Sequence, residues 1–433
     1  TITARTLVPP TSIPMTPRPT VHQRKRPTGP PVTHLAGRYR ATMAHDLAAT
    51  WGFPNRIRIG PGRVAELGAA CDEAGIFRPL VVTDPGLADL PLFGEVLDAL
   101  AAAGLDHGVF TGVRPNPVEA NVDAAVAGLR EGSHDGVVAV GGGSALDVGK
   151  MAAFMVGQTR PIWDFEDIED WWTRADTGAV VPVVAVPTTA GTGSEVSRSG
   201  VATNEAEGRK VIIFHPVMLP AQVIADPKLS VGMPRAVTVG TGFDALAHNL
   251  EAICSPTFHP MAQAIGMEGC RLVLEHLPRV VADPADLEGR TGMLVAASMG
   301  AVAFQKGLGA MHALSHPIGA AFDTHHGTTN GVVMPYVLAA NRSPAEAAVA
   351  ELSTRAGIDG GFDGFLHHVV TMRSDLGIPH TVVELGVDPD AGHRIAAAAA
   401  VDPAAATNPV PCTSEFAARV FDAACGGHLD DLD

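Results

Sequence analysis

The sequence predicts an α/β protein in two parts, an N-terminal half built on a parallel sheet and a C-terminal half that is all helix. Three observations carry that prediction. From Asn55 to about Pro234, short β-like runs alternate with runs of helical length. Beyond Pro234 the alternation stops, and long Ala-, Leu- and Met-rich segments with helical spacing continue to the end. The length, 433 residues, exceeds what one hydrophobic core normally organises. The expected division is residues 50–234 and 235–433.

The alternation opens with RIRIG (56–60), then RVAELGAACDEAG (63–75), PLVVTD (79–84), FGEVLDALAAAG (93–104), a short DHGVFTG (106–112) and VEANVDAAVAGLREG (118–132). DGVVAVGGGS (135–144) and ALDVGKMAAFMV (145–156) follow. VVPVVAVPTTAGTGSE (180–195) adds a Val/Ala run that suits a strand covered on both faces. Such sheets bind ligands at the carboxyl ends of their strands. In the helical half, Pro317 and Pro335 are expected to end helices at His316 and Met334, because proline disfavours helical geometry in the residue before it.

Composition narrows the functions open to the chain. Hydrophobic residues make up 46%, charged residues 18% and the mean hydropathy is +0.18, which describes a chain able to bury a large core. A formal charge of −16 opposes binding to a phosphate backbone. No apolar run reaches the ~18 residues a membrane helix needs. Five cysteines, scattered and without CxxC pairs, point to a reducing cytoplasm rather than to a disulfide framework. Residues 1–43 are Pro- and Thr-rich, with seven arginines and lysines and no acid before Asp46. They read as a disordered extension, either a transit peptide or an over-long gene model with Met43 as the start.

Three constellations carry chemistry. GGGSALDVGK (141–150) follows a strand and opens a helix, where glycine lets the backbone approach an anion and the helix N-terminus stabilises negative charge. It is neither a Walker A loop nor a GxGxxG turn, because Ser144, Leu146 and Met151 stand where those motifs need other residues. PTTAGTGSE (187–195) is a second Gly-rich loop at a strand end, offering Thr188, Thr189, Thr192 and Ser194 as hydroxyl donors. Two such loops fit one extended ligand, a dinucleotide. Asp84, closing PLVVTD, either accepts from adenosine ribose hydroxyls and repels a 2'-phosphate, or makes an ordinary Asx turn before Pro85.

The third constellation is rich in imidazole. In FDALAHNLEA (243–252), Asp244 and His248 are four apart and share a helix face, and His312 and His316 repeat that spacing. With His325 and His326 they form a candidate site for a divalent transition metal, Fe(II) or Zn(II). Spacing alone does not choose between His312 and His316, or between His325 and His326.

Together GGGSALDVGK, PTTAGTGSE, FDALAHNLEA, HALSHPIGAAFDTHHG (312–327) and the late TNPVP resemble the iron-containing, group III, alcohol dehydrogenase family from about Asn55 onward. The resemblance implies a dinucleotide-binding α/β domain and an all-α metal-binding domain, a dehydroquinate synthase-like architecture with the active site in the cleft between them. It implies Asp244, His248, His312 and His326 as metal ligands and His316 as a proton relay, with His325 unassigned. It places Gly141, Gly142, Gly143 and Ser144 at the pyrophosphate and Asp84, Thr188, Thr189 and Thr192 at the adenosine and ribose. Asp147 and Lys150 match family positions, and Lys210 aligns with a lysine near the nicotinamide ribose. The implied reaction is NAD-dependent oxidation of an alcohol or reduction of an aldehyde, with NADP disfavoured by Asp84 and a Lewis-acid metal at the alcohol oxygen.

Two other activities share this architecture, maleylacetate reduction and a dehydroquinate synthase-like lyase reaction. The complete ligand set argues against the first and the lack of an evident phosphate-binding Lys/Arg set against the second. The expected partners are a small alcohol or aldehyde and a second copy of the chain, with neither nucleic acid nor membrane. Arg198, just past the second Gly-rich loop, either faces the cleft and pairs with an acidic substrate or makes an internal salt bridge. IWDFEDIEDWWTRAD (162–176) either covers the cleft or forms a surface contact.

Overall fold

A computed structural model describes residues 55–432; the expectation for residues 1–43 lies outside them. The first half reads β1 (Arg56–Ile59), α1 (Leu67–Ala74), β2 (Pro79–Val82), the single turn α2 (Pro85–Ala88), α3 (Pro91–Ala102), β3 (Gly108–Phe110), α4 (Glu119–Glu131), β4 (Gly136–Gly141) and α5 (Gly143–Met155). Then come β5 (Val183–Pro187), β6 (Ser199–Asn204), β7 (Arg209–Phe214) and β8 (Gln222–Ala225). Six strands form one parallel sheet in the order β1-β8-β5-β4-β2-β3.

The sheet is covered on both faces, as its continuous apolar strands require. Val138, Val140, Val184 and Val186 pack with residues of α1 and α3, such as Leu67, Val96 and Leu100. The alternate residues Val137, Ala139, Val183 and Ala185 join a larger core that runs on without a break into the helical half. From β2 the chain goes outward to β3 and returns to β4 on the other side of β2, so the connections diverge at the β2–β4 pair. That divergence opens a crevice at the carboxyl ends of these strands. Asp84 follows one of them and Gly141 to Ser144 the other.

The second half is helical: α6 (Arg235–Cys254), α7 (Pro260–Ala282), α8 (Leu287–Ala303), α9 (Ala310–Phe322), α10 (His326–Ala340), α11 (Arg342–Arg355), α12 (Gly361–Leu376), α13 (Gly392–Ala400) and α14 (Ser414–Gly426). None of the described helices is long and apolar enough to cross a membrane by itself. All five cysteines are free thiols.

Two expectations need correction. Pro317 and Pro335 do not end their helices; they lie inside α9 and α10. A proline in a helix costs one backbone hydrogen bond, and α10 is buried on nearly every face, so tertiary packing holds the segment helical. The reading also missed three strands. β6 and β7 form an antiparallel ribbon of their own, and β8 is a four-residue strand inserted between β1 and β5. RKVIIF carried a signal in its β-branched residues; QVIA follows it with no α-helix between and so fell outside the strand–helix alternation.

Candidate active site

The metal-ligand candidates sit where α6, α9 and α10 meet. Glycine makes the meeting possible: a Cβ on Gly327 would lie 2.1 Å from the Gly240 carbonyl oxygen and 2.9 Å from Cβ of Asp244. The backbones of α10 and α6 therefore touch beside Asp244, and His326, one residue before Gly327, is brought to that carboxylate. Nε2 of His326 lies 3.4 Å from Oδ1 of Asp244, and Nε2 of His312 lies 3.8 Å from the same oxygen. Three ligands about 2.1 Å from one ion in tetrahedral geometry stand roughly 3.4 Å apart, so these atoms are spaced to share a cation.

Asp244 and His312 are buried. Burial pushes the Asp244 carboxyl up, but His248, His326 and His312 outweigh it and hold the group below its ordinary range. Burial depresses His326 well below the usual imidazole value. Burial likewise opposes a charge on His312, yet the carboxylates of Glu251 and Asp244 push it up to about 10.

His248, the fourth expected ligand, is not in the three-atom cluster of Asp244, His312 and His326. Its ring stacks on His312 with centroids 4.6 Å apart. Its Nδ1 is buried without a hydrogen-bond partner. The nearest polar neighbour of the cluster is a residue the sequence reading passed over. Nδ2 of Asn330 lies 2.9 Å from Asp244 Oδ1 and 3.3 Å from Nε2 of both His312 and His326, while its Oδ1 is buried and unpartnered. Two orphaned polar atoms around three convergent acceptors fit a site built for a cation.

His316 stands beside the cluster, its ring stacked at 5.4 Å on His326, and its Nδ1 pairs with Asp402 Oδ2 at 2.9 Å. His325 instead caps α10, its ring accepting from the Thr328 N–H. Glu251 was also missed: one oxygen meets Nδ1 of His312 at 2.5 Å and the other accepts from the Met311 N–H. The signal was available, since Glu251 follows His248 by three residues on α6 and so shares its face.

The two Gly-rich loops touch. Gly141 has φ +143°, open to glycine and strained for other residues, and its carbonyl accepts from the Thr188 N–H at 3.0 Å. A Cβ on Gly142 would meet the Thr189 side chain at 3.3 Å, and one on Gly143 would meet Thr192 at 2.6 Å. Ser144 lies in the first turn of α5, whose N-terminus Gly142 opens. Asp84 uses Oδ1 to cap α2 through the Leu87 N–H, while its Oδ2 faces Gly141 across the crevice. The second loop also reaches the helical half, because a Cβ on Gly191 would lie 2.8 Å from Thr241 of α6.

Asp147 and Lys150 are turned inward. Asp147 accepts from the Ser194 hydroxyl at 2.5 Å and from the Val201 N–H at 3.0 Å, and Lys150, fully buried, donates to the carbonyls of Ser194 and Ser199. This pair ties α5 to the β6 ribbon. Lys210, on β7, brings Nζ to 3.6 Å from a Cβ built on Gly319 of α9; burial lowers its ammonium, which Asp244 and Asp323 partly restore.

Beside the histidines lies a cavity of about 290 Å³, lined by His316, Arg198, Asp167, Phe214, Phe304 and Leu308 among others. The tryptophan segment supplies Asp167 to its wall, through a backbone bond from Asp167 to Ile212. Its Trp163 instead donates to Glu119 at 2.9 Å.

The sequence model described as iron-containing alcohol dehydrogenase matches residues 54–227, and that of the family's C-terminal part matches residues 238–425. The chain belongs to the iron-containing alcohol dehydrogenase family. It is an oxidoreductase of the class that acts on CH–OH groups. It is 38% identical to the 4-hydroxybutyrate dehydrogenase of Cupriavidus necator over 367 residues, 82% of this chain and 94% of that one. It is 32% identical to the NAD-dependent methanol dehydrogenase of Bacillus methanolicus over 381 residues, 85% of this chain and 98% of that one. A solved 1,3-propanediol oxidoreductase of the family superposes with a TM-score of 0.81 at 32% identity, covering 87% of this chain and 100% of that one.

Proposed function

We propose that this chain is an NAD- and metal-dependent alcohol dehydrogenase, working also as an aldehyde reductase on small substrates. The observation that carries the reading is the convergence of Asp244 Oδ1 with Nε2 of His312 and of His326 at cation-sharing distances beside a cavity. One carboxylate oxygen and imidazole nitrogens suit Fe(II), and Zn(II) as the substitute. His248, whose ring stacks on His312, is the fourth ligand in this reading. When bound, the ion supplies Lewis acidity toward the alcohol oxygen and the dinucleotide supplies the hydride acceptor.

The chain's own residues do the rest. Gly141, Gly142, Gly143 and Ser144, at the start of α5, present backbone N–H groups to a pyrophosphate. Thr188, Thr189 and Thr192 line the adjoining wall. Asp84 favours a free ribose 2'-hydroxyl over a 2'-phosphate, hence NAD over NADP. Lys210 lies toward the histidine cluster, in place to steady the nicotinamide ribose. His316, held by Asp402, carries the alcohol proton toward solvent. The reading includes two domains divided near Pro234, a homodimer, and a reducing cytoplasmic setting that the five free thiols favour.

Turnover of methanol, 1,3-propanediol and longer alcohols, with NAD and NADP in turn and before and after chelation, tests this. NAD-dependent oxidation that stops on chelation and returns with Fe(II) is expected. Equal turnover in fully chelated enzyme overturns the metal role, and no oxidation of any alcohol overturns the activity.

A further inference from the structure

Arg198 lines the same cavity as His316, and among the described residues no carboxylate lies within 4.0 Å of its guanidinium. Its guanidinium donates to Gln305 Oε1 at 3.4 Å and lies over the Phe214 ring, 5.5 Å from the centroid. Ile212, Phe214, Leu219, Phe304 and Leu308 make the wall between mainly apolar. A guanidinium facing an apolar, partly desolvated space is poorly stabilised until an anion reaches it, and its planar fork matches a carboxylate.

We propose that Arg198 anchors a carboxylate on the substrate, so that the enzyme prefers short ω-hydroxy acids and the corresponding ω-oxo acids, with the reacting carbon at the His316 end of the cavity. This rests on the dehydrogenase reading above and narrows it. The carboxylate takes no part in the redox step; it fixes the substrate's direction and distance. Asp167 is the acid that shares the cavity wall with Arg198. It lies beyond salt-bridge distance, and burial pushes its carboxyl up against the pull of Arg198. A volume near 290 Å³ is at the small end for a ligand pocket and suits a chain of a few carbons.

The test is a matched series: 3-hydroxypropanoate, 4-hydroxybutyrate and 5-hydroxypentanoate against the diols of equal length, with NAD and Fe(II) supplied. The wild-type protein is expected to favour at least one hydroxy acid over its diol in kcat/KM by about 10-fold or more. Arg198→Ala is expected to cut that ratio by roughly 10- to 100-fold, and Arg198→Lys to keep part of it. Butyrate, which cannot react, should raise the Tm of the wild type and not that of Arg198→Ala, while butyramide raises neither. Equal kcat/KM for acids and diols in the wild type, or an unchanged ratio in Arg198→Ala, overturns the proposal and leaves the dehydrogenase reading standing. Should Arg198→Ala fail to fold, the wild-type ratio and the butyrate shift decide the matter. Inactivity on acids and diols alike sinks the dehydrogenase reading instead.

Discussion

Oε2 of Glu251 lies 2.5 Å from Nδ1 of His312, and both side chains are buried. The contact fixes the imidazole so that Nδ1 faces the carboxylate and Nε2 turns toward Asp244. The Met311 N–H, donated to the other oxygen, locks the carboxylate in place. A carboxylate behind a metal-binding histidine orients the ring and makes it more basic. Glu251→Gln is therefore expected to weaken Fe(II) or Zn(II) binding by about 10- to 100-fold with little change in the fold, measured by metal titration against a competing chelator. Unchanged affinity would mean that the pair serves packing alone.

Gly327 lets α10 reach α6. Gly327→Ala would set a methyl group 2.1 Å from the Gly240 carbonyl oxygen, so the helices must part. Thermal unfolding should show a loss of about 2 kcal/mol, accompanied by metal loss, because the separation falls beside Asp244 and His326.

Lys150 and Asp147 tie α5 to the β6 ribbon, a role that can be separated by experiment from binding of the dinucleotide. Lys150→Met leaves Asp147 without its cation and two carbonyls without a donor, at an expected cost of about 3 kcal/mol in denaturant unfolding. NAD affinity of the folded fraction should change far less. A large loss of NAD affinity with unchanged stability would reverse that assignment.

Most of the sheet half was legible because its strands are continuous Val/Ala runs at strand length, and the two Gly-rich loops announced where they end. The β6 ribbon and β8 were not, since they follow one another with no helix longer than three residues between them and so break the strand–helix alternation that marked the others. Asp244, His248, His312 and His316 were legible through i,i+4 spacing, which a helix converts directly into a shared face. Asp402 was not, since it reaches His316 from 86 positions away; Asn330 was passed over although it stands four residues after His326 on α10, the same helical spacing. The helix ends expected at Pro317 and Pro335 failed because a local preference was set against a buried bundle. Resemblance chose among the histidines before geometry was available; of the four assigned ligands, the structure brings three together and leaves His248 stacked alongside.

The Asp402–His316 pair, 2.9 Å apart, gives the proposed proton path an orienting group. His316→Ala should lower kcat by about 10²-fold or more, with metal content unchanged. Asp402→Asn should lower it by a smaller factor and displace the pH profile of kcat. An unaltered profile in Asp402→Asn would remove Asp402 from the path.

The central claim is that Asp244, His312 and His326 hold one divalent ion. Elemental analysis of purified wild type, Asp244→Ala and His326→Ala, each loaded with Fe(II) under anaerobic conditions and checked for native circular dichroism, tests it most directly. The wild type should carry one ion per chain, and the folded variants close to none. Full metal content in either folded variant, or none in an active wild type, would contradict it.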